Sequence, residues 1–420
     1  MEIAPFPPID MISNLPDNVM DNILTHLTIR DAVKTSILSK QWKYKWVNLP
    51  QLIFDDTLWQ KSEGNQEVAR IKFTSIIYHV LLFHRGPITK FTLIIPQLRS
   101  CSEIDHLIYF LSKNGVEEFT FKIWDRYMLP SSLFMCLQLK HLNLCFCGIN
   151  PPPSFNGFKR LIRLELTSVT VDGDGLGNLI SSCPLLEQLV LHVSNKVDYL
   201  EIDAPVLQLF ELVCSNTYIC FKKSPLLAIV SVASYNERSA IGDGICNLIE
   251  FLESLPALQK LQMNYNFLKL LAADKVQTTI PATLNNLKIL ELTSISLHLL
   301  EELSSVLCLI RSSPNLEKLK ITMYSDETDD TSDVMDFLKV QDYSDVTLNR
   351  LQEVTLKSFT GTLPEMALIK LLLEKSSKLK IMDIFREPYK VDDIVFGILI
   401  ELNKFWRASP KVEVNFECPE

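Results

Sequence analysis

A short apolar triplet recurs along most of this sequence and restricts the folds that the chain can adopt. Each copy consists of an apolar residue, two spacers, a second apolar residue, one spacer and a third apolar residue. Looser copies begin at Ile88 and Val116. Clear copies begin at Leu139, Leu161, Leu186, Leu207, Leu227, Leu258, Leu287, Leu316, Leu351 and Leu379. By subtraction, the steps from Leu139 to Leu227 are 22, 25, 21 and 20 residues, and the next three are 31, 29 and 29.

Such spacings are typical of leucine-rich repeats, in which each triplet forms a short strand. The alternation within a triplet fits a strand with one buried face. Several intervening stretches are compatible with helices, as at residues 175–184, where a helix would end near Cys183 because the residue before a proline avoids the α conformation. One strand–helix unit cannot bury its apolar face alone, so neighbouring units stack. The sequence therefore predicts an α/β fold, with a horseshoe-shaped leucine-rich-repeat solenoid over residues 57–345.

Residues 11–56 lack the triplet and show helical spacing of apolar residues instead. Leu15-Pro16-Asp17 is predicted to begin one helix, because proline is suited to a first helical turn. Thr28-x-x-Asp31 resembles the capping box of a second helix that continues through Leu38.

Two tryptophans follow these helices. Trp42 and Trp46 are four residues apart and are therefore predicted to share a helix face. Fewer than fifty residues cannot completely bury two tryptophans and many aliphatic side chains by themselves. We expect another chain, or the solenoid, to cover part of this surface.

This N-terminal segment closely resembles the plant type of F-box. The residues that carry the resemblance are Leu15-Pro16-Asp17, Ile23-Leu24, Leu27, Asp31-Ala32-Val33, Thr35-Ser36, Leu38-Ser39, Trp42 and Trp46. The stretch from Asn48 to Asp55 looks like the usual exit from that module. Gln41 replaces a frequent basic residue and Thr28 stands where proline is common, but neither departure removes an apolar anchor.

The resemblance extends to the C-terminus. The repeat beginning at Leu139, with Pro151-Pro-Pro153 after it, is similar to the first clear repeat of plant F-box/leucine-rich-repeat proteins. The stretch from Leu351 through Gly361 and Glu365 to Met382 is similar to the FBD element that closes many such chains. We therefore expect a flexible tail over residues 1–10, an F-box over 11–56 and an FBD-like set of C-terminal repeats and cap over 346–420.

The resemblance implies a function as the substrate-recognition subunit of a Skp/cullin/F-box type of ubiquitin ligase. The F-box would dock on a Skp-type adaptor and through it on a cullin scaffold, while the repeats would bind an unknown protein substrate. An amphipathic helical pair is itself a suitable ligand for a groove in a partner. The residues expected to contact the adaptor are Leu15, Pro16, Ile23, Leu24, Leu27, Val33, Ser36, Leu38, Ser39, Trp42 and Trp46. The alternative that the tryptophans pack inside the chain stays open.

Spacer positions of the triplets should face outward from the strands, which makes them candidate substrate contacts by geometry alone. The candidates at these positions are His141, Asn143, Arg163, Glu165, Gln188 and Val190. A non-catalytic leucine-rich-repeat scaffold that acts outside any ubiquitin ligase is the alternative function.

No arrangement of residues in the sequence predicts catalysis, a metal or a cofactor. The seven histidines are scattered, and Cys145-x-Cys147 has no histidine to complete a zinc site. Residues 173–177 are rich in glycine but lack the lysine of a phosphate-binding loop, so they are interpreted as a repeat turn. The acidic stretch 325–333 lacks the glycine and glutamate of a calcium loop and is interpreted as a solvated insertion, with regulation by phosphorylation or by a basic partner as the alternative.

Charge and composition argue against several classes of partner. The chain has 41 Lys and Arg against 50 Asp and Glu, a net charge of −9, which disfavours nucleic acid as a partner. No apolar stretch approaches the roughly 20 residues that cross a bilayer, so no membrane partner is expected. Neither a signal peptide nor a glycosylation sequon is apparent, and ten dilute cysteines favour free thiols. These features predict an intracellular location, in the nucleus, the cytoplasm or both.

Overall fold

The structure is a computed structural model with two compact units, Met1–Leu186 and Glu187–Glu420, which are described separately. It describes residues 12, 15–56, 66–95, 102–171, 175–193, 199–215, 218–235, 248–272, 284–324, 332–340, 343, 346–386 and 392–417.

The helices of the described residues occupy the N-terminal segment and the connections between strands. They are α1 (Asp17–Thr25), α2 (Ile29–Lys34), α3 (Gln66–Phe83), α4 (Ser102–Ser112), α5 (Gly175–Ser181), α6 (Leu248–Glu253), α7 (Tyr265–Ala272), α8 (Leu300–Arg311), α9 (Ser332–Val340), α10 (Leu363–Lys375) and α11 (Asp392–Lys404). Short 3-10 helices lie at Thr35–Ile37, Lys45–Asn48 and Ser131–Met135.

Most of the strands are short, and the second and third residues of each predicted triplet lie on one of them. They are β1 (Gln51–Phe54), β2 (Lys90–Ile94), β3 (Glu118–Met128), β4 (His141–Ile149), β5 (Arg163–Thr167), β6 (Thr170–Val171), β7 (Gln188–His192), β8 (Tyr199–Asp203), β9 (Leu209–Cys214), β10 (Tyr218–Lys223), β11 (Ile229–Ser234), β12 (Lys260–Asn264), β13 (Ile289–Ile295), β14 (Lys318–Met323), β15 (Glu353–Phe359), β16 (Ile381–Arg386) and β17 (Glu413–Glu417).

In the N-terminal unit, strands β1 to β5 lie side by side in chain order and are parallel. The first strand comes from the exit of the helical segment, since Leu49-x-x-Leu52-x-Phe54 is itself a copy of the triplet, with all three side chains buried. Phe54, Phe91 and Phe119 form a ladder through the core, with ring centroids 5.8 and 5.7 Å apart. The helical segment is therefore joined directly to the first repeat.

In the C-terminal unit, β7, β9 and β11 to β17 form a parallel sheet in that order. The middle and last residues of the triplets are buried along the sheet, for example Leu290 and Leu292 on β13. Thus the predicted fold class, a helical N-terminal module followed by leucine-rich repeats of an α/β type, is confirmed.

Connection length decides which element lies behind the sheet. The two shortest steps, 21 and 20 residues, lie between Leu186 and Leu227, and their described residues (186–193, 199–215 and 218–227) contain no helix. Their connections form β8 and β10, which pair in parallel with each other. The steps of 28 to 35 residues that follow carry α6 to α10. Helix-compatible sequence was predicted for several of the connections between triplets. In these two repeats the connections form strands instead, because a short connection has little room for helical turns.

Two features recur where strands end. Phe146, Ser168, Ser294 and Ser358 each lie two residues after the last apolar residue of a triplet and adopt the left-handed conformation, with φ between 52° and 59°. In two repeats, a buried glutamate at the third position of the next helix accepts a hydrogen bond from a backbone N–H of the connecting loop. Glu302 accepts the hydrogen bond from the backbone N–H of Ser296 at 2.7 Å. Glu365 accepts the one from the backbone N–H of Thr360 at 3.0 Å.

Candidate protein-interaction site

The helical module begins as the sequence predicts. α1 starts directly after Pro16, and Thr28 caps α2 by accepting a hydrogen bond from the backbone N–H of Asp31. Lys34 Nζ lies 2.8 Å from Asp31 Oδ1 and, mainly through this hydrogen bond, lowers the pKa of the Asp31 carboxyl. Lys45 Nζ, in the 3-10 helix, lies 2.8 Å from Asp17 Oδ1 and ties the end of the module to α1.

The two tryptophans do not share a helix face, so that prediction is wrong. α2 ends at Lys34, and turns rather than a helix connect the 3-10 helix of Thr35–Ile37 to that of Lys45–Asn48. Trp42 is 2% exposed, and its indole N–H donates to the carbonyl oxygen of Ile12 at 3.2 Å. Trp46 is half-buried and lines a cavity instead.

The predicted adaptor-contact residues fall into three groups. Leu24 and Trp42 are buried within the module, so their side chains hold it together and are not accessible. Half-buried residues are Leu15, Leu27, Ser36, Ser39 and Trp46. Exposed residues are Pro16, Ile23, Val33 and Leu38.

The most exposed apolar side chain of the module was not among the predicted contacts. Ile37 is 87% exposed, and Leu38 beside it is 51% exposed. Val19 and Ile23 on α1 are also exposed. Sequence spacing placed Ile37 in a helix, but it lies in a 3-10 turn that projects it outward. The helical spacing of the sequence therefore does not predict the exposure of Ile37.

An apolar cavity of about 610 Å³ lies between α2 and α3. Its floor includes Ile29 and Val80, which are buried, and Phe83 at its rim is exposed. Arg30 and Lys34 supply positive charge. The remaining lining residues are Val33, Trp46, Ser75, Ile76 and His79. Val33 belongs both to this cavity and to the exposed apolar surface of the module, so the two are continuous. α3 lies outside residues 11–56, where the F-box is predicted, and only the folded chain brings it to the module.

Four of the predicted substrate contacts lie together on the outward face of the N-terminal sheet. His141 is in register with Arg163, and Asn143 with Glu165. Both Arg163 and Asn143 donate hydrogen bonds to the Glu165 carboxylate, and His141 Nδ1 lies 3.7 Å from Glu118 Oε1. These polar groups are thus already engaged with one another.

The other two candidates belong to the C-terminal unit. Gln188 and Val190 are half-buried on β7, and their outward alternation follows the predicted spacer pattern. Gln188 is in register with Leu209, and Val190 with Glu211.

The cysteines pack as apolar residues. Cys136, Cys147 and Cys183 are buried, and desolvation raises the pKa of the three thiols to about 12, about 12 and about 11. Across the described part of the chain, no three His, Cys, Asp or Glu side chains are grouped so as to hold a metal ion. Nor does any helix within the described ranges have the length and apolar character to span a bilayer. Residues 172–174 and 325–331, in the glycine-rich and acidic stretches, lie outside the described residues.

Comparison with known proteins identifies both parts of the chain. Residues 12–53 match the F-box domain, and residues 104–321 match the LRR repeats of FBD-associated F-box protein At5g56370. The chain is 33% identical to F-box/FBD/LRR-repeat protein At1g13570 of Arabidopsis thaliana over 97% of its own length and 98% of the relative's. It is 26% identical to the putative FBD-associated F-box protein At5g56390 of the same plant over 97% and 99% of the two chains.

Among solved structures, an internalin from Listeria monocytogenes matches over 74% of this chain and 82% of the internalin chain, with 14% identity and a TM-score of 0.31. The family assignment rests on the sequence matches. The chain belongs to the plant F-box/FBD/LRR-repeat family.

Proposed function

We propose that this protein is the substrate-recruiting subunit of a Skp/cullin/F-box type of ubiquitin ligase, without catalytic activity of its own. Its F-box would dock on a Skp-type adaptor, and its repeats would bind a protein substrate. The family relationship supports this proposal, because an F-box generally binds a Skp-type adaptor. An intracellular location, in the nucleus or the cytoplasm, is part of the proposal.

The observation that carries the proposal is the apolar surface of the F-box. Ile37 and Leu38 are mostly exposed, although Leu24, Ile29, Ala32 and Trp42 fill the interior of the same module. Each large aliphatic side chain that stays exposed lacks the stabilisation of about 1.5–3 kcal/mol that its burial would give. Contiguous exposed apolar side chains mark interaction surfaces. A partner that covers them would recover this free energy.

The cavity between α2 and α3 supports the same assignment. It continues the apolar surface through Val33, and the helix-in-groove mode of recognition suits an opening of this kind. The interface that we propose thus combines exposed residues of the F-box with Trp46 at the edge of the cavity. Leu24 and Trp42 are left out of it because both are buried.

The test is binding of the full-length chain to a purified plant Skp-type adaptor by isothermal titration calorimetry. The double variant Ile37→Asp/Leu38→Asp should weaken binding by about 100-fold or more, since charges placed in the core of an apolar interface leave buried unpaired groups. Val340→Asp is the matched control, because Val340 is 84% exposed on α9 in the other unit. It should leave the affinity unchanged.

Undiminished binding by the double variant would refute the proposed docking surface. A wild-type chain that binds no Skp-type adaptor would favour the alternative, a repeat scaffold that acts outside a ubiquitin ligase. Thermal unfolding of each variant should match wild type, because every substituted side chain is exposed.

A further inference from the structure

An aromatic pair lies on the N-terminal unit, outside the F-box, and consists of the exposed Trp124 and the half-buried Phe146. Trp124, on β3, is 68% exposed, and its ring centroid is 6.0 Å from that of Phe146 on β4 at an angle of 66°. Phe146 has the left-handed conformation, with φ of 55°, which is rare for a bulky side chain. An exposed tryptophan held at a fixed angle by a second ring offers a large, rigid apolar contact area.

Two cations flank the aromatic pair. Lys122 lies two residues before Trp124 on β3, so both side chains leave the strand on the same side. Lys122 is in register with Cys145, the residue before Phe146. Arg126, two residues after Trp124, is exposed. Neither cation forms an ion pair or a side-chain hydrogen bond with any of the side chains that the structure describes. In the neighbouring rows of the sheet, by contrast, the charges of Lys90 and Arg163 are paired.

We propose that Lys122, Trp124, Arg126 and Phe146, which we name the β3–β4 surface, bind an acidic peptide segment of a protein substrate through one apolar anchor side chain. The anchor would pack against Trp124 and Phe146, and carboxylates on either side of it would face Lys122 and Arg126. The inference deepens the proposed function by giving the chemical class of the substrate, and it rests on that function only for its biological role.

Charge decides between a peptide and a nucleic acid as the occupant. Aromatic side chains with nearby cations also occur where proteins bind single strands of nucleic acid. The β3–β4 surface, however, has only two unpaired cations. The lysines and arginine nearby on the sheet, Lys90, Lys140 and Arg163, are paired with Glu118, Glu117 and Glu165. A continuous chain of phosphates would therefore find no further unpaired cation beside these two among the described residues of that surface, and the whole chain carries a net charge of −9. Two or three carboxylates around an apolar anchor match the surface better.

The test is selection of peptides on the full-length chain. A phage library of random twelve-residue peptides is selected against the immobilised wild-type protein, and the most enriched peptide is labelled with fluorescein for anisotropy titrations. We expect enriched peptides to combine two or more Asp or Glu with one Trp, Phe or Leu. Trp124→Ala should weaken binding about 30-fold, as for a central tryptophan in an interface. Lys122→Glu/Arg126→Glu should weaken it about 10-fold, and NaCl at 0.5 M should weaken wild-type binding by screening.

Tyr109→Ala is the matched control. Tyr109 is another exposed aromatic residue of the same unit, with Lys113 Nζ 5.3 Å from its ring centroid, and its loss should leave peptide binding unchanged. Trp124→Ala should also retain wild-type affinity for the Skp-type adaptor and the wild-type Tm. Loss of peptide binding with adaptor binding intact therefore separates this inference from the proposed docking function.

Four results would overturn the inference. They are no enrichment over the starting library, enrichment of peptides without acidic residues, peptide affinity that is equal for wild type and Trp124→Ala, and tighter binding of fluorescein-labelled dodecathymidine than of any selected peptide.

Discussion

The Glu365 carboxylate accepts hydrogen bonds from both the backbone N–H and the hydroxyl group of Thr360, at 3.0 and 3.1 Å. It also accepts hydrogen bonds from the backbone N–H groups of Gly361 and Thr362, at 2.7 and 3.1 Å. Glu365 is 1% exposed, so this single side chain satisfies a loop that would otherwise bury its donors unpaired. The loop connects β15 to α10 within the FBD-like region.

Replacing Glu365 with alanine should destabilise the protein by about 3 kcal/mol, because three backbone N–H groups and a hydroxyl lose a buried acceptor. Glu365→Gln should cost less, since its amide oxygen still accepts hydrogen bonds. Urea unfolding followed by circular dichroism measures both. Equal midpoints for wild type and Glu365→Ala would show that the network contributes nothing.

The stability of the protein should also depend on pH through Glu365. Desolvation is the largest influence and raises the pKa of this carboxyl, against the lowering effect of its hydrogen bonds. A raised pKa means that the folded state binds the proton more tightly, so this contribution is complete below the unfolded pKa of about 4.3 and is lost as pH rises through the folded pKa. The free energy of unfolding of wild type minus that of Glu365→Gln should therefore fall as pH rises from 4 to 7.

Shortening a side chain on a repeat strand should lower the free energy of unfolding strongly only where that side chain faces the core. Leu290 is fully buried in the middle of the β13 triplet, so Leu290→Ala should destabilise by about 3 kcal/mol through lost contacts and the cavity left behind. Ile289 is the half-buried neighbour on the other face of the strand, and Ile289→Ala should cost about 1 kcal/mol or less. Urea midpoints that move equally for the two variants would contradict the assignment of faces.

Two glycines with positive φ should differ in their tolerance of a side chain. A Cβ at Gly157 would lie 1.9 Å from the carbonyl oxygen of Ser182, whereas a Cβ at Gly115 would meet no atom within 4 Å. Gly115→Ala should cost only the left-handed strain of about 1 kcal/mol. Gly157→Ala should cost about 3 kcal/mol or prevent folding, because the backbone must also move. Thermal unfolding compares them, and a milder effect at Gly157 than at Gly115 would be inconsistent with this packing.

Thiol reactivity should follow burial along β4. Cys147 is buried and desolvation raises the pKa of its thiol to about 12, so its reactive thiolate is scarce at pH 8. Cys145 is half-buried, with a smaller rise that the charge of Lys122 opposes. N-ethylmaleimide should modify Cys145 well before Cys147 in the native protein, and both equally in 8 M urea. Mass spectrometry of the peptides reports each site, and prior modification of Cys147 would oppose this order.

Local pattern was sufficient for the strands of the repeats. The second and third residues of every predicted triplet lie on a strand, including those of the looser copies at Ile88 and Val116, because alternation between two faces is a property of consecutive residues. The same pattern at Leu49, Leu52 and Phe54 was not predicted to be a repeat, because those residues also fit the exit of an F-box. Connections were less predictable, since the pairing of β8 with β10 depends on two segments being neighbours after folding.

The candidate site likewise has features that the local sequence determines and features that only tertiary contacts determine. The sequence determined that an F-box begins the chain and that repeats follow, because both depend on residue type and spacing. Only the tertiary structure decided which apolar side chains are available to a partner. Trp42 is buried with its indole N–H on the carbonyl of Ile12, thirty residues away, while Ile37 and Leu38 are left outside. Burial depends on contacts between residues that are distant in the sequence, and no local period specifies those.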